Sequence, residues 1–197
     1  MHYVKTKRNK IDTCNICKQV THLSWDHVLP QGSIEVAPME METVFQIFAG
    51  DRKDRKLRKS QNGVKFRTIC ESCNERLGHK YDPIIKEFAF SVGRYLKAVL
   101  TFPKIIHHKT KPVALIRGIL GHLLAAKAEY DKVVFDEKVR TFLFDETAVI
   151  PDEIHVYYWL YPYPQVIIMN DFVMPARRGD FGEVGLFHTL KYFPVAT

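Results

Sequence analysis

The sequence predicts an α+β chain in two parts, a strand–strand–helix module clamped by cysteines over residues 1–83 and an α+β body over residues 84–197. Three observations lead there. The four cysteines fall in two C-x2-C pairs, Cys14/Cys17 and Cys70/Cys73, both in the first part. Apolar residues repeat with a helical period after Pro83, and the stretch after Pro151 is rich in aromatic and β-branched residues broken by Pro and Gly. With 46% hydrophobic and 12% aromatic residues, the chain carries enough apolar surface for a genuine core and is no disordered segment.

Taken in order, residues 1–13 form a basic lead-in and Cys14-Asn15-Ile16-Cys17 a tight turn. Thr21 to Pro30 alternates like a short strand ending at Pro30-Gln31-Gly32. Residues 39–49 suit a short helix closed by Gly50, and Arg52 to Lys59 is a dense basic run. Asn62-Gly63 marks a turn, and Val64 to Ile69 alternates as a second strand leading into Cys70. From Glu71 the pattern is helical, with Gly78 as its expected C-terminal cap. In the body, Ile84, Ile85, Phe88, Val92, Tyr95, Leu96 and Val99 define one helix, and Val113, Ile116, Leu120, Leu123 and Leu124 define a second behind Pro112. Phe135 to Phe144 fits no single period. Residues 154–161, 166–173 and 184–193 read as strands of an antiparallel sheet, with Tyr157, Tyr158, Trp159, Tyr161 and Tyr163 divided between core and surface.

Charge is distributed unevenly. Lys and Arg number 29 against 22 Asp and Glu, a net +7, and residues 1–80 hold 15 basic and 9 acidic side chains. Nearly all the excess lies in the first part, which points to an anionic partner there. The most apolar long stretch, Pro112 to Tyr130, is broken by Arg117, His122 and Lys127 and falls short of the roughly 18 apolar residues of a membrane span. The N-terminal basic residues precede no apolar segment, so no membrane partner and a reducing, cytoplasmic setting are expected. In such a setting the two cysteine pairs read as one four-thiolate Zn2+ site, each pair presenting two sulfurs from one turn. The alternative is two unrelated pairs, one of them redox-active, although the βαβ context of a thioredoxin-type pair is missing.

Asp26-His27 lies between the cysteine pairs and Asn74 follows Cys73 directly, so a shared zinc would bring the three together. A carboxylate and an amide oxygen are hard ligands suited to Mg2+, and a histidine with an ordinary pKa near ~6.5 can accept a proton from water at neutral pH. That is the equipment of metal-assisted phosphodiester hydrolysis.

The combination Cys14-x2-Cys17, Trp25-Asp26-His27-Val28-Leu29-Pro30, Cys70-x2-Cys73-Asn74 and Asn74-Glu75-Arg76-Leu77-Gly78 resembles the HNH, or ββα-metal, endonucleases, particularly their zinc-clamped members. The likeness covers about residues 12–83. It implies a ββα-metal fold with His27 as general base, Asp26 and Asn74 holding a catalytic Mg2+ or Mn2+, structural Zn2+ on the four cysteines, and DNA as substrate. Two departures stand out. The family's middle asparagine is missing from its usual place before the second cysteine pair, where Lys65-Phe66-Arg67-Thr68 stands, and Asn62 is the nearest candidate for that supporting role. The excursion from Gln31 to Gln61 is also long for such a module.

Phosphate contacts are expected from Arg52, Lys53, Arg55, Lys56, Arg58 and Lys59 of that excursion, with Lys65, Arg67 and Arg76 beside it. His79, past the expected helix end, reads as a solvated loop histidine, with contact to phosphate or the metal as the alternative; His22 is expected to be structural or exposed, since four cysteines already complete a zinc site; and His107, His108, His122, His155 and His188 show no ligand spacing and are expected at the surface or in the core. The rival reading is a non-catalytic zinc-ribbon module that binds nucleic acid or protein. An RNA-directed nuclease or a partner-restrained effector is a third. The body is expected to set target choice, form a homodimer, or dock onto a larger defence or repair complex.

Overall fold

A computed structural model of the chain describes residues 5–33, 39–41, 58–98, 104–130, 132–177 and 180–197. The first part is built on an antiparallel three-stranded sheet. β1 (Ile11–Thr13) pairs with β2 (Val20–His27). At the root of the excursion β3 (Met39–Met41) pairs with β4 (Arg58–Ser60), so residues 39–41 are a strand and not the start of a helix. The partner strand supplies what local pattern could not, including a Glu40–Lys59 cross-strand ion pair at 3.6 Å. The remainder of the expected 39–49 helix lies outside the described residues. β5 (Lys65–Cys70) completes the sheet in the order β1-β2-β5.

α1 (Glu71–Lys80) follows β5 without a linker, giving the expected strand–strand–helix order. It passes through Gly78 instead of ending there. The break comes at Tyr81, ahead of α2 (Asp82–Lys97), whose Pro83 occupies the first turn where its missing N–H is harmless. α3 (Pro112–Ala125) and α4 (Val134–Phe144) follow, so the described residues of the body hold three helices where the sequence shows two. α4 is the stretch with ambiguous periodicity. It buries Val139, Phe142 and Leu143 on one side, and Asp136 and Glu137 lie in its first turn, where acidic groups suit the helix dipole.

The second sheet is four-stranded and antiparallel: β6 (Trp159–Leu160), β7 (Ile167–Arg177), β8 (Asp180–Tyr192) and β9 (Val195–Ala196), in the order β6-β9-β8-β7. The expected strand over 154–161 shrinks to two residues. Of its aromatic set and the neighbouring Tyr163, only Tyr161 is buried. The architecture is therefore α+β throughout. Among the described residues no helix is long and apolar enough to cross a membrane.

One buried apolar cluster runs through Ile16, Leu23, Ile69, Leu77, Ile85, Leu120, Leu143 and Leu190. The boundary drawn at residue 83 thus falls in the first turn of α2, and a single core spans both sides of it. Two glycines let α3 approach the α1–α2 junction. A Cβ at Gly118 would stand 2.8 Å from Ile85 Cδ1 and 2.9 Å from Tyr81 Cβ, and one at Gly121 would stand 2.5 Å from Leu77 Cδ2. Gly78, in contrast, has open space around it. Gly118→Ala is therefore expected to cost about 1–3 kcal/mol through overpacking against the Tyr81 stem, more than its helix-propensity gain. Gly78→Ala should stabilise by about 0.5–1 kcal/mol. Denaturant unfolding of the two variants checks this, and equal effects would contradict the packing given for Gly118.

Candidate functional site

The four cysteines converge. Cys14 ends the β1 side of a tight turn that Lys18 closes in the left-handed region at φ 66°, with the Lys18 N–H donating to the Cys14 carbonyl at 3.0 Å. Cys70 is the last residue of β5 and Cys73 sits in the first turn of α1. One sulfur from each of the four lies within 4.8 Å of every other, and Cys17 Sγ and Cys70 Sγ are 3.7 Å apart. A tetrahedral Zn2+ with Zn–S bonds near 2.3 Å needs sulfurs about 3.8 Å apart, so this set fits one metal ion and its all-thiolate chemistry suits zinc.

The surroundings favour negative charge on Cys14. Its sulfur accepts the N–H of Ile16 at 3.4 Å and of Cys70 at 3.3 Å. A hydrogen bond from Cys73, assisted by these amides, pulls the Cys14 thiol down to about 4 against the effect of burial. The same hydrogen bond pushes Cys73 up, and burial above all raises Cys17 to about 11. Metal uptake must therefore displace protons, and affinity falls in acid.

Asn15, inside the first turn, ties this centre to the body. It is buried, and its Nδ2 donates to the carbonyls of Leu124 at 3.0 Å and Lys127 at 2.9 Å. Its own carbonyl accepts from Arg140 Nε at 2.7 Å. Lys127, also buried, contacts both Asp136 oxygens at 2.8 Å. The cysteine turn is thus seated on the end of α3 and on α4.

The end of β2 carries Asp26 and His27, paired in register with Phe66 and Lys65 of β5. Between Ser24 and Asp26 the register shifts, two steps on β2 facing three on β5. Simple alternation also fails along β2, where Leu23 and Asp26 are both buried while Trp25 is exposed. His27 is half-buried. Its ring bonds to the Asn62 backbone, and its Nε2 lies 3.1 Å from Gln31 Nε2. An amide NH2 only donates, so the His27 nitrogen facing Gln31 is the acceptor. Burial first, and then the Lys65 charge, hold the imidazole below its usual pKa, with Asp26 opposing. A neutral ring with a basic Nε2 results. Asn62 reaches the site through its main chain.

Asn74 projects from α1 toward the same strand. Its Nδ2 donates to the Trp25 carbonyl at 3.0 Å and to Ser24 Oγ at 3.3 Å, which fixes the amide against β2 one residue before Asp26. Asp26 itself is only 4% exposed, and its Oδ2 lies 3.5 Å from Nδ1 of His122 on α3. His122 is wholly buried, and its Nε2 contacts Asp82 Oδ1 at 2.9 Å. Burial opposes the charge on this ring, yet the facing carboxylates of Asp26 and Asp82 outweigh it and push the pKa up to about 10. His122 and Asp82 are the functional candidates that sequence reasoning missed. Neither lies near a motif, and only the tertiary contact marks them.

The expected phosphate ligands are variously placed. Arg52, Lys53, Arg55 and Lys56 lie outside the described residues, as does the side chain of Arg58. Lys59 is exposed beside Glu40, and Lys65 stands next to His27. Arg67 is engaged within the protein, donating to the Arg8 carbonyl at 2.6 and 3.2 Å and lying 5.4 Å from the Trp25 ring. Arg76 likewise donates to the Phe144 carbonyl at 3.0 Å and covers the Phe144 ring, tying α1 to the end of α4. His22 is exposed on β2, and His79 is exposed within α1.

No family model matches the chain, and comparison with curated proteins and with solved structures finds no match. The site's own chemistry therefore carries the functional reading: four clustered thiols fit to clamp a metal.

Proposed function

We propose that the chain is a metal-dependent endonuclease of the HNH type that hydrolyses phosphodiester bonds in DNA. What supports this reading most is that the end of β2 carries His27 and also holds the amide of Asn74 through the Trp25 carbonyl, while Cys73, next to Asn74, belongs to the cysteine cluster. Structural Zn2+ on Cys14, Cys17, Cys70 and Cys73 holds β2 and α1 together. His27 Nε2 takes a proton from the attacking water, and its bond to the Asn62 backbone keeps the ring oriented as it does so. Gln31, on an exposed side chain, yields its place to that water. Asp26 and Asn74 are the residues to hold a catalytic Mg2+ or Mn2+. Their carboxylate and amide oxygens suit a hard cation, and the bonds from Asn74 Nδ2 to Ser24 and Trp25 leave its amide oxygen to serve as the ligand. Such an ion, when bound, stabilises charge developing on the phosphate and leaving oxygen. Lys59, Lys65 and the basic run before them supply affinity for the backbone. The expected products carry 5′-phosphate and 3′-hydroxyl ends.

One observation favours the second reading, a zinc module that binds without cleaving: the carboxylate of Asp26 faces inward. Incubating the zinc-loaded chain with supercoiled plasmid and Mg2+ or Mn2+ separates the two. Nicking that needs the added ion supports the nuclease. Salt-sensitive retention of DNA without cleavage under any divalent ion supports the binding module and overturns the nuclease. Matched DNA and RNA duplexes in the same assay assign the substrate.

A further inference from the structure

We propose that His122 is a positioning residue for Asp26, so that Asp82 and, from the second part of the chain, α3 complete the metal-binding side of the nuclease site. The inference rests on the reading of Asp26 as a ligand of the catalytic ion.

The observations behind it are geometric. His122 is wholly buried between two carboxylates that come from distant elements, Asp26 at the end of β2 and Asp82 in the first turn of α2. Asp82 Oδ1 fixes the Nε2 side of the ring at 2.9 Å. The other nitrogen, Nδ1, is buried without a hydrogen-bond partner, and so is the Asp26 oxygen 3.5 Å away that it faces. Two unpartnered buried atoms in opposition form a contact that a shift of a few tenths of an ångström closes into a hydrogen bond. Buried polar groups left unpaired are costly, so such a pairing is retained for a reason.

An outer histidine or carboxylate behind a ligating group is the usual device by which a protein orients a metal ligand. The glycines of α3 belong to the same arrangement. Gly118 and Gly121 allow the helix to approach Tyr81, Ile85 and Leu77 closely enough for His122 to stand between Asp26 and Asp82.

The test uses the full, zinc-loaded chain with Mn2+ as probe. Mn2+ binding is followed directly by the electron paramagnetic resonance of the free ion, and the Mn2+ concentration for half-maximal DNA cleavage is measured alongside. His122→Gln is expected to weaken Mn2+ binding and raise the half-saturating concentration by about 10-fold or more, the usual effect of disturbing an outer partner, with a smaller change in maximal rate and unchanged zinc content. A purely structural His122 gives the opposite pattern: the maximal rate falls with the folded fraction while both Mn2+ titrations stay at the wild-type position, and that result overturns the inference. If His122→Gln fails to fold, Asp82→Asn decides. It alters a less deeply buried side chain than that of His122. A rightward shift of both titrations in Asp82→Asn supports the inference, and wild-type titrations overturn it. A wild-type chain that neither binds Mn2+ nor cleaves DNA overturns the underlying reading as well, whereas wild-type cleavage with unmoved variants removes only the role given to His122.

Discussion

Replacing His27 by alanine is expected to lower Mg2+-dependent DNA cleavage by about 10²- to 10⁴-fold, the contribution of a positioned general base. Zinc content and the unfolding midpoint should remain near those of the wild type. The side chain is half-buried and touches the exposed Gln31 and the Asn62 backbone, so its removal leaves no buried ion without a partner. The contrast with its neighbour is instructive. Asp26→Ala removes one of the two carboxylates around His122 and should reduce both stability and cleavage, since a fully buried charge then loses a partner. Single-turnover cleavage at saturating Mn2+, read beside the thermal midpoint, distinguishes the two residues. A His27→Ala protein with full activity would remove histidine from the proposed chemistry.

Loss of the cysteine centre should have the largest effect on stability. Cys14→Ser, or removal of the metal by a strong chelator, is expected to cost more than about 4 kcal/mol, the range reached when a metal site is lost. Cys14 is the natural choice because its buried sulfur accepts two backbone N–H groups and the Cys73 hydrogen bond at once. Its turn also carries Asn15, which is bonded to the end of α3, so the damage should reach the body. Zinc readdition to the metal-free wild type should bind one ion per chain and release protons, because the Cys17 and Cys73 thiols are held protonated until the ion displaces them. Affinity should accordingly decline as pH falls. A pH-indicator titration with zinc measures both stoichiometry and proton release, and a chain of unchanged stability without metal would show the sulfurs to be a passive cluster.

Much of this site is legible in the sequence because its signals are local. A C-x2-C pair can present two sulfurs from one turn whatever the rest of the chain does, and Cys70 running from a strand into the helix of Cys73 follows from a change of apolar period. Asp26-His27 and Asn74 are single residues whose meeting depends on that clamp. What local pattern missed, it missed for physical reasons. The short strand at 39–41 is specified by its partner at 58–60. Gly78 lies inside α1 because Asp82-Pro83, and not the glycine, sets the next boundary. α4 hides its period among charged residues such as Asp136 and Arg140, which are buried in a salt-bridged network only the folded chain assembles.

The α+β class, the strand–strand–helix order of the first part and the four-cysteine centre are legible without coordinates, each being a property of spacing within a segment. Tertiary structure alone decided which way Asp26 faces and what it meets. Asp26 is buried where strand alternation fails, and close packing at Gly118 and Gly121 brings His122 between Asp26 and Asp82. Those contacts join residues from three separate elements through a shared core, and core packing is a non-local property that no local spacing can carry.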